Sequence, residues 1–407
     1  MSARNAKLRV LQVHNHYSPG WGGEDTVVQL EAQLLRDRGH VVAEFTASTA
    51  ALKNGPLFRQ MLAVPSFLWS PQSYKSLCQK IWEFQPDVVH VHNTFPRLSP
   101  SVFWASRRAG VPVVQTLHNF RHVCANALLI REDRQCEKCV GHPSLPALRH
   151  RCYAGSLART AVIVALNALH WKLGTYTRAV DTYITLNDFN RQVFLRGDFP
   201  GHKLVVKPNF VPVSNLDRPR KPQVVFAGAM SQSKGVRLLL EAWDIAALEG
   251  FNLLLVGDGP ERKALEEQYA QLSRVTWCGR LSRPEVLKHI ATSRILAFPS
   301  LAYENCPMVL LEALSVATPV VAANHPGLQT IIRHQREGLL FQSGDPQALA
   351  LALRNALLAD HDTWSRWSSA ARRTQAERYS ENVSYHQLIS IYRSVIRNKS
   401  PSVASDA

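Results

Sequence analysis

From Leu8 onward the chain repeats one pattern: a short apolar run, a turn of Gly, Pro, Asn or Asp, then a longer stretch whose apolar residues recur at three- and four-residue intervals. The short runs read as buried strands and the longer stretches as amphipathic helices. Residues 8–14 form the first strand, and a loop through Gly20, Trp21, Gly22 and Gly23 leads to a helix over 24–38 that Gly39 ends. Further strands are predicted at 41–45, 87–91, 113–117 and 182–186. Strands that alternate with helices in this way build a parallel sheet covered on both faces.

A stretch rich in Pro and charge, 211–222, reads as a linker, and a second alternation follows it. Its strands are predicted at 224–228, 252–256, 275–278, 295–298 and 320–322, with helices over 234–248 and 260–272 among the gaps. A chain of 407 residues is too long for one ordinary core. The fold class is therefore α/β, with two doubly wound, Rossmann-like domains facing a cleft at the carboxyl ends of their strands. The expected division is 1–210, the linker 211–222, a second domain over 223–380, a terminal helix 381–397 and a disordered tail 398–407.

Candidate chemistry concentrates after the strand at 295–298. Glu304 falls in a strand-to-helix loop, followed by Asn305, Cys306, Pro307, Met308 and Val309, and Glu312 lies within the helix. Free backbone N–H groups at such a helix start can hold phosphate oxygens, while the loop carboxylate can accept hydrogen bonds from sugar hydroxyls. The competing reading is a solvated loop Glu followed by an ordinary helix Glu. Gly22 and Gly23 follow the first strand, where a backbone without side chains permits close approach by a ligand or simply a flexible loop. Lys234, in Ser233-Lys234-Gly235, follows the first strand of the second domain.

Charge changes the picture by half. Residues 1–215 hold 25 Lys and Arg against 13 Asp and Glu, while 216–407 hold 22 against 18. The basic half faces an acidic partner such as anionic lipid or a phosphorylated acceptor, or is ordinary solubilising surface. No recognition motif for nucleic acid accompanies the charge. The first nine residues lack a signal-peptide core, so the expectation is a cytoplasmic chain, at most peripheral on the inner face of the plasma membrane. The segment 157–173, apolar and flanked by Arg159 and Lys172, either lies on such a surface or is core. Cys124, Cys136, Cys139 and Cys152 form a C-x11-C-x2-C-x12-C array. They are either ligands of a structural zinc or unpaired thiols, since disulfides are disfavoured in a reducing compartment.

The Glu304-x7-Glu312 stretch runs into Ala-Leu-Ser-Val-Ala-Thr-Pro-Val-Val-Ala-Ala at 313–323 and then Asn324-His325-Pro326-Gly327. It resembles the family-four, GT-B type retaining glycosyltransferases of bacterial surface-glycan synthesis, whose paired glutamates lead into a Gly-Thr-Pro-Val-Val-Ala-like segment. The resemblance extends from about Leu8 to about Ile396.

It implies a nucleotide-sugar donor held by the second domain and a lipid-linked or saccharide acceptor held mostly by the first, with no metal required for catalysis. In that scheme Glu304 holds sugar hydroxyls, Glu312 the nucleotide ribose, and Lys234 with the helix amides the diphosphate. His118, in Thr116-Leu117-His118-Asn119, matches the histidine that contacts the donor sugar; a structural strand-end cap is its alternative. Asn209 matches an Asn of the interdomain strand exit, with a turn-forming role equally open, and Asp258 reads as a helix cap.

One departure stands out: the family's arginine five positions before the lysine is Ala229 here. Either another cation, such as Arg237 or Arg280, substitutes, or catalysis is weakened. A sugar-nucleotide epimerase and a catalytically weak scaffold are the rival readings.

Overall fold

The computed structural model describes residues 7–16, 22–49, 64–132, 134–214, 216 and 218–399. Gly20, Trp21 and the tail from Ser400 lie outside the described residues. By internal contacts the chain divides into two units, one of Met1–Ala127, Lys138–Lys207 and Tyr385–Ala407, the other of Leu128–Glu137 and Pro208–Ser384.

In chain order the strands are β1 (Arg9–His16), β2 (Val41–Ser48), β3 (Val88–Asn93), β4 (Val113–Thr116), β5 (Ile130–Arg131), β6 (Arg134–Gln135), β7 (Thr182–Thr185) and β8 (Leu204–Val206). They continue as β9 (Lys221–Ala227), β10 (Asn252–Val256), β11 (Val275–Gly279), β12 (Ser293–Phe298), β13 (Val320–Ala323) and β14 (Gly338–Phe341). The first unit carries a parallel sheet in the order β2-β1-β3-β4-β7-β8. Val10, Leu11 and Val13 of β1 are wholly buried, as expected of a strand covered on both faces. Leu388, Ile389, Tyr392 and Val395 of the helix Glu381–Lys399 pack against Leu8, Val10, Leu35, Val88, Val114 and Ile184 of that unit.

The second unit carries a parallel sheet in the order β11-β10-β9-β12-β13-β14, and β5 with β6 forms a small antiparallel hairpin. In the two large sheets the strand order reverses between β1 and β3 and between β9 and β12. Ligands of such sheets sit outside the carboxyl ends of the strands at these reversals.

Three sequence expectations need correction. The helix expected over 234–248 begins only at Val236, because Gln232–Lys234 form a separate turn and Gly235 has φ +70°. The second helix is shorter than expected, spanning Arg262–Gln268. Strand β9 takes the last two linker residues, and Pro222 is tolerated there because the register with β12 shifts at that point. The helix Leu157–Lys172 buries Thr160, Ile163, Leu166, Asn167 and His170, so one face belongs to the core. No helix among the described residues is long and apolar enough to cross a membrane.

Candidate active site

At the β9/β12 reversal two loops are clamped together. The Ser233 carbonyl accepts from the Leu301 amide at 2.9 Å and from Ser300 Oγ at 3.1 Å. Gly235 closes the turn, and a Cβ there would lie 2.1 Å from the Pro299 carbonyl oxygen, so no other residue fits. This clamp brings Lys234 to Glu304, seventy residues on, with Nζ 2.6 Å from Oε1. Ser300 Oγ donates to the same oxygen at 2.6 Å. Both bonds fall on Oε1.

Beyond Glu304, Asn305 and Cys306 are buried, and Asn209 Nδ2 donates to the Cys306 carbonyl at 2.9 Å, which ties Asn209 to this loop. Pro307 is the N-cap of the helix Met308–Ser315, whose first amides, those of Met308 and Val309, have no intrahelical acceptor by helix geometry. Glu312, on the next turn, accepts from Arg283 Nε at 2.7 Å. A capping box of Ser282 and Glu285 starts the helix that presents Arg283.

His325 Nε2 lies 2.6 Å from the Ser300 carbonyl, which makes it the donor, and Nδ1 then accepts from the Gln135 amide of the β5–β6 hairpin. Arg237 is turned to Gln268. Asp258 accepts from the Gly259 amide rather than capping the helix Arg262–Gln268, whose N-cap is Glu261. Arg283, Ser300 and His325 were not singled out from sequence, because their partners depend on strand order.

In the first unit, histidines gather at the β1/β3 reversal. His14 and His16 of β1 sit two apart, as do His90 and His92 of β3, and such pairs share one face of a strand. The His-x-His repeat at two strand ends was the signal that sequence reading passed over. Asp25, in the first turn of the helix Gly23–Asp37, accepts from His14 Nε2 at 2.7 Å and His16 Nδ1 at 2.8 Å. Burial works to raise its carboxyl, but these two bonds outweigh it and hold the pKa below the usual range. Glu24 behaves oppositely: burial and the charge of Asp25 push it up to about 8 against the pull of Arg121. Gly22 is the N-cap of that helix, and a Cβ there would meet only ordinary contacts, from 3.6 Å outward.

Glu31 Oε1 pairs with Lys207 Nζ at 2.7 Å, both side chains almost wholly buried. His118, just past β4, lies with Nε2 3.0 Å from His92 Nδ1 and lines a cavity with Asn93, Asn119, Arg121 and Asn167.

Burial lowers His90 to about 4 and His122 to about 3. Both stay neutral when folded yet take a proton near pH 6.5 when unfolded, so their share of stability is complete above pH 6.5 and is lost on acidification. His90 alone accounts for about 3 kcal/mol across that window. Glu24 acts with the opposite sign from pH 4.5 to 8, one group against four, since burial also holds His92 and His118 well below the ordinary imidazole range. Urea unfolding at pH 7 and pH 5 should therefore show a first unit markedly weaker at pH 5, and equal free energies at the two values would contradict this account.

Among the described residues, two groups of three or more donor side chains lie within 4.8 Å of one another: His14 with His16 and Asp25, and Glu31 with His90 and His92. The structure does not gather Cys124, Cys136, Cys139 and Cys152 in this way, and the described cysteines form no disulfide. Cys139 and Cys152 instead pack on the apolar cluster of Phe95, Ala125, Ala147, Ile163 and Leu166.

Comparison with known proteins places the chain. Residues 22–209 match the family described as "Glycosyl transferase 4-like domain", and residues 221–359 match "Glycosyl transferases group 1". Together the matches span most of the chain, which belongs to the family-four, group 1 glycosyltransferases. It is 26% identical over 183 residues to the putative colanic acid biosynthesis glycosyltransferase WcaL of Salmonella typhimurium, covering 42% of this chain and 45% of that protein. It is 33% identical over 164 residues to the sulfoquinovosyl transferase SQD2 of Arabidopsis thaliana, covering 40% and 31%. The chain thus spans less than half the length of these curated relatives. Its fold is that of GT-B proteins such as Anabaena HepE, solved with UDP-glucose, at a TM-score of 0.64, 19% identity and coverage of 95% and 100%.

Proposed function

We propose that the protein is a retaining glycosyltransferase that moves a sugar from a nucleoside-diphosphate donor to a lipid-linked or saccharide acceptor in surface polysaccharide or lipopolysaccharide synthesis. The observation that carries this is the Lys234–Glu304 contact of 2.6 Å beside the first turn of the helix Met308–Ser315. One ammonium, one carboxylate and a set of helix amides meet there, which are the groups a sugar diphosphate calls for.

In this reading the N–H groups of Asn305, Cys306, Met308 and Val309 and the Lys234 ammonium take the diphosphate, with Pro307 shaping the turn between them, Glu304 Oε2 takes sugar hydroxyls, and Glu312, held by Arg283, takes the ribose. The bond from the anomeric carbon to the diphosphate oxygen breaks as the acceptor oxygen bonds to the same face. The acceptor proton passes to the departing phosphate, so no protein nucleophile is needed. Lys234 offsets the charge that develops on the leaving group. With Ala229 in the place of an arginine, Arg283, whose Nε donates to Glu312 at 2.7 Å, is the substitute cation in this reading, beside the earlier candidate Arg280. In the first unit His118 meets the donor sugar. Gly22 and Gly23 leave room for substrate in this reading, and among the described residues a Cβ at Gly22 would meet only ordinary contacts, from 3.6 Å outward. A lipid-linked acceptor is favoured by exposed Leu145 and Leu157 on a surface that also exposes Arg149, Arg151 and Arg159, suited to anionic lipid.

The test is incubation of the purified chain with a panel of nucleotide sugars, with and without lipid extract or oligosaccharide. Nucleoside diphosphate release that depends on acceptor, with a product that keeps the donor's anomeric configuration, supports the reading. Donor turnover without acceptor would point to an epimerase, and no turnover with any donor to a scaffold.

The cysteine array is proposed as a structural zinc site whose thiolates draw together on binding, so that metal uptake and ordering of the segment are coupled. About one zinc per chain is expected, lost in a Cys136→Ser/Cys139→Ser variant together with thermal stability. Zinc-free protein with four titratable thiols would contradict it.

A further inference from the structure

In the first unit Arg121 is held in place by everything except its charge. Its backbone amide donates to Asn119 Oδ1 at 3.1 Å, and its carbonyl accepts from Asn167 Nδ2 of the helix Leu157–Lys172 at 2.8 Å. The guanidinium lies over the Phe95 ring, 4.5 Å from its centroid, with the Tyr153 ring at 5.4 Å. Aromatic faces attract the cation and fix its plane. They leave its N–H groups, which point outward in that plane, for other partners.

Among the described residues, Arg121 Nε and Nη1 are buried and have no hydrogen-bond acceptor. Buried polar groups are normally paired, and an ionic one that its own chain leaves unpaired points to a partner from outside. The acid that feels the Arg121 charge is Glu24, which burial and the charge of Asp25 push up to about 8, so it is uncharged at physiological pH. It does not offset the cation.

Arg121 lines the cavity at the carboxyl ends of β3 and β4, with Asn119 beside it. Asn119 Oδ1 is taken by the Arg121 amide, which leaves the Asn119 side-chain nitrogen as a further donor there. No carboxylate is among the described residues that line this cavity, so an arriving anion meets no like charge. Its volume is about 30 Å³, room for one small group and not for a sugar ring.

We propose that Arg121 is an anion site of the first unit and binds one phosphate or carboxylate group of the acceptor. The planar fork of a guanidinium matches the paired oxygens of either group. That the anion belongs to the acceptor rests on the proposed transferase function; the anion site itself does not. The acceptor class narrows accordingly. A lipid acceptor joined through phosphate or an acidic saccharide supplies such a group, whereas a neutral oligosaccharide supplies none.

Proton–nitrogen NMR of the full chain labelled with 15N-arginine follows the Arg121 Nε–H, assigned by loss of its signal in Arg121→Lys. Inorganic phosphate and glucuronate are titrated at constant ionic strength, with glucose as the neutral control. Phosphate, glucuronate or both should shift this signal saturably while glucose leaves it in place, and the tighter of the two identifies the anion as phosphate or carboxylate. Calorimetric titration of Arg121→Lys, with its fold checked by circular dichroism, should show binding weakened about tenfold or more, because lysine keeps the charge and loses the fork. With an acceptor that carries the tighter-binding anion, the same variant should raise acceptor KM by a similar factor and leave donor KM unchanged.

A wild-type Nε–H signal that neither anion shifts would overturn the site, whatever the variant does. Unchanged affinity in folded Arg121→Lys would overturn the role of Arg121. If the anion binds as expected while the variant keeps the wild-type acceptor KM, the site stands and its assignment to the acceptor fails. If no donor is turned over at all, the transferase reading fails and the NMR titration still decides the site.

Discussion

Lys234→Ala lowers turnover at saturating donor by about 10²- to 10³-fold, the loss seen when one preorganised group that stabilises leaving-group charge is removed. The ammonium reaches this position because the Ser233 turn is hydrogen-bonded to the loop leaving β12 and because Gly235 lets the two backbones meet. Neither feature depends on the lysine side chain, so the variant keeps its fold and the loss is chemical.

Glu304→Gln keeps the volume and the bond from Ser300 but removes the charge that faces Lys234. It should cost a similar factor, and the double variant should cost less than the product of the two, since the pair acts as one unit. Steady-state kinetics on the three proteins check this. Normal kcat in folded Lys234→Ala would remove the leaving-group role and direct attention to Arg283.

The second large effect is on stability. Lys207→Met strands the Glu31 carboxylate among His90, His92 and Tyr392 in a site closed to water. Breaking one side of such a buried pair costs about 3–5 kcal/mol, far more than the pair itself contributes over an apolar replacement. The combined Glu31→Gln/Lys207→Met variant should recover most of that loss. Urea unfolding of the first unit measures both. A single variant within about 1 kcal/mol of wild type would mean that water reaches Glu31 and that the pair behaves like a surface one.

Most strands were legible because each is a short apolar run with turns at both ends, and observed limits such as Asn252–Val256 agree with the sequence reading. What was hidden follows from tertiary contact. Strand β14 is four residues beginning with Gly338, too brief to carry a period of its own. The helix after Lys234 starts late because Gly235 must clear the Pro299 carbonyl, a neighbour 64 positions away in sequence.

Lys234 and Glu304 could be named one at a time, from a resemblance, but their contact depends on β9 lying beside β12. Arg283 and His325 had no local signature, since an Arg at a helix start and a His before a Pro are unremarkable until Glu312 and Ser300 are placed against them. The histidine group was the reverse case. Its spacing was visible, and only the adjacency of β1 and β3 turned it into a network.

The account stands most directly on one measurement: nucleoside diphosphate released per enzyme from a panel of nucleotide sugars, with lipid and oligosaccharide acceptors, for wild type beside Glu304→Gln. The expected result is release by wild type with one donor, dependent on an acceptor, and a loss of about 10²-fold or more in Glu304→Gln. Equal release by both proteins, or release that needs no acceptor, would contradict it.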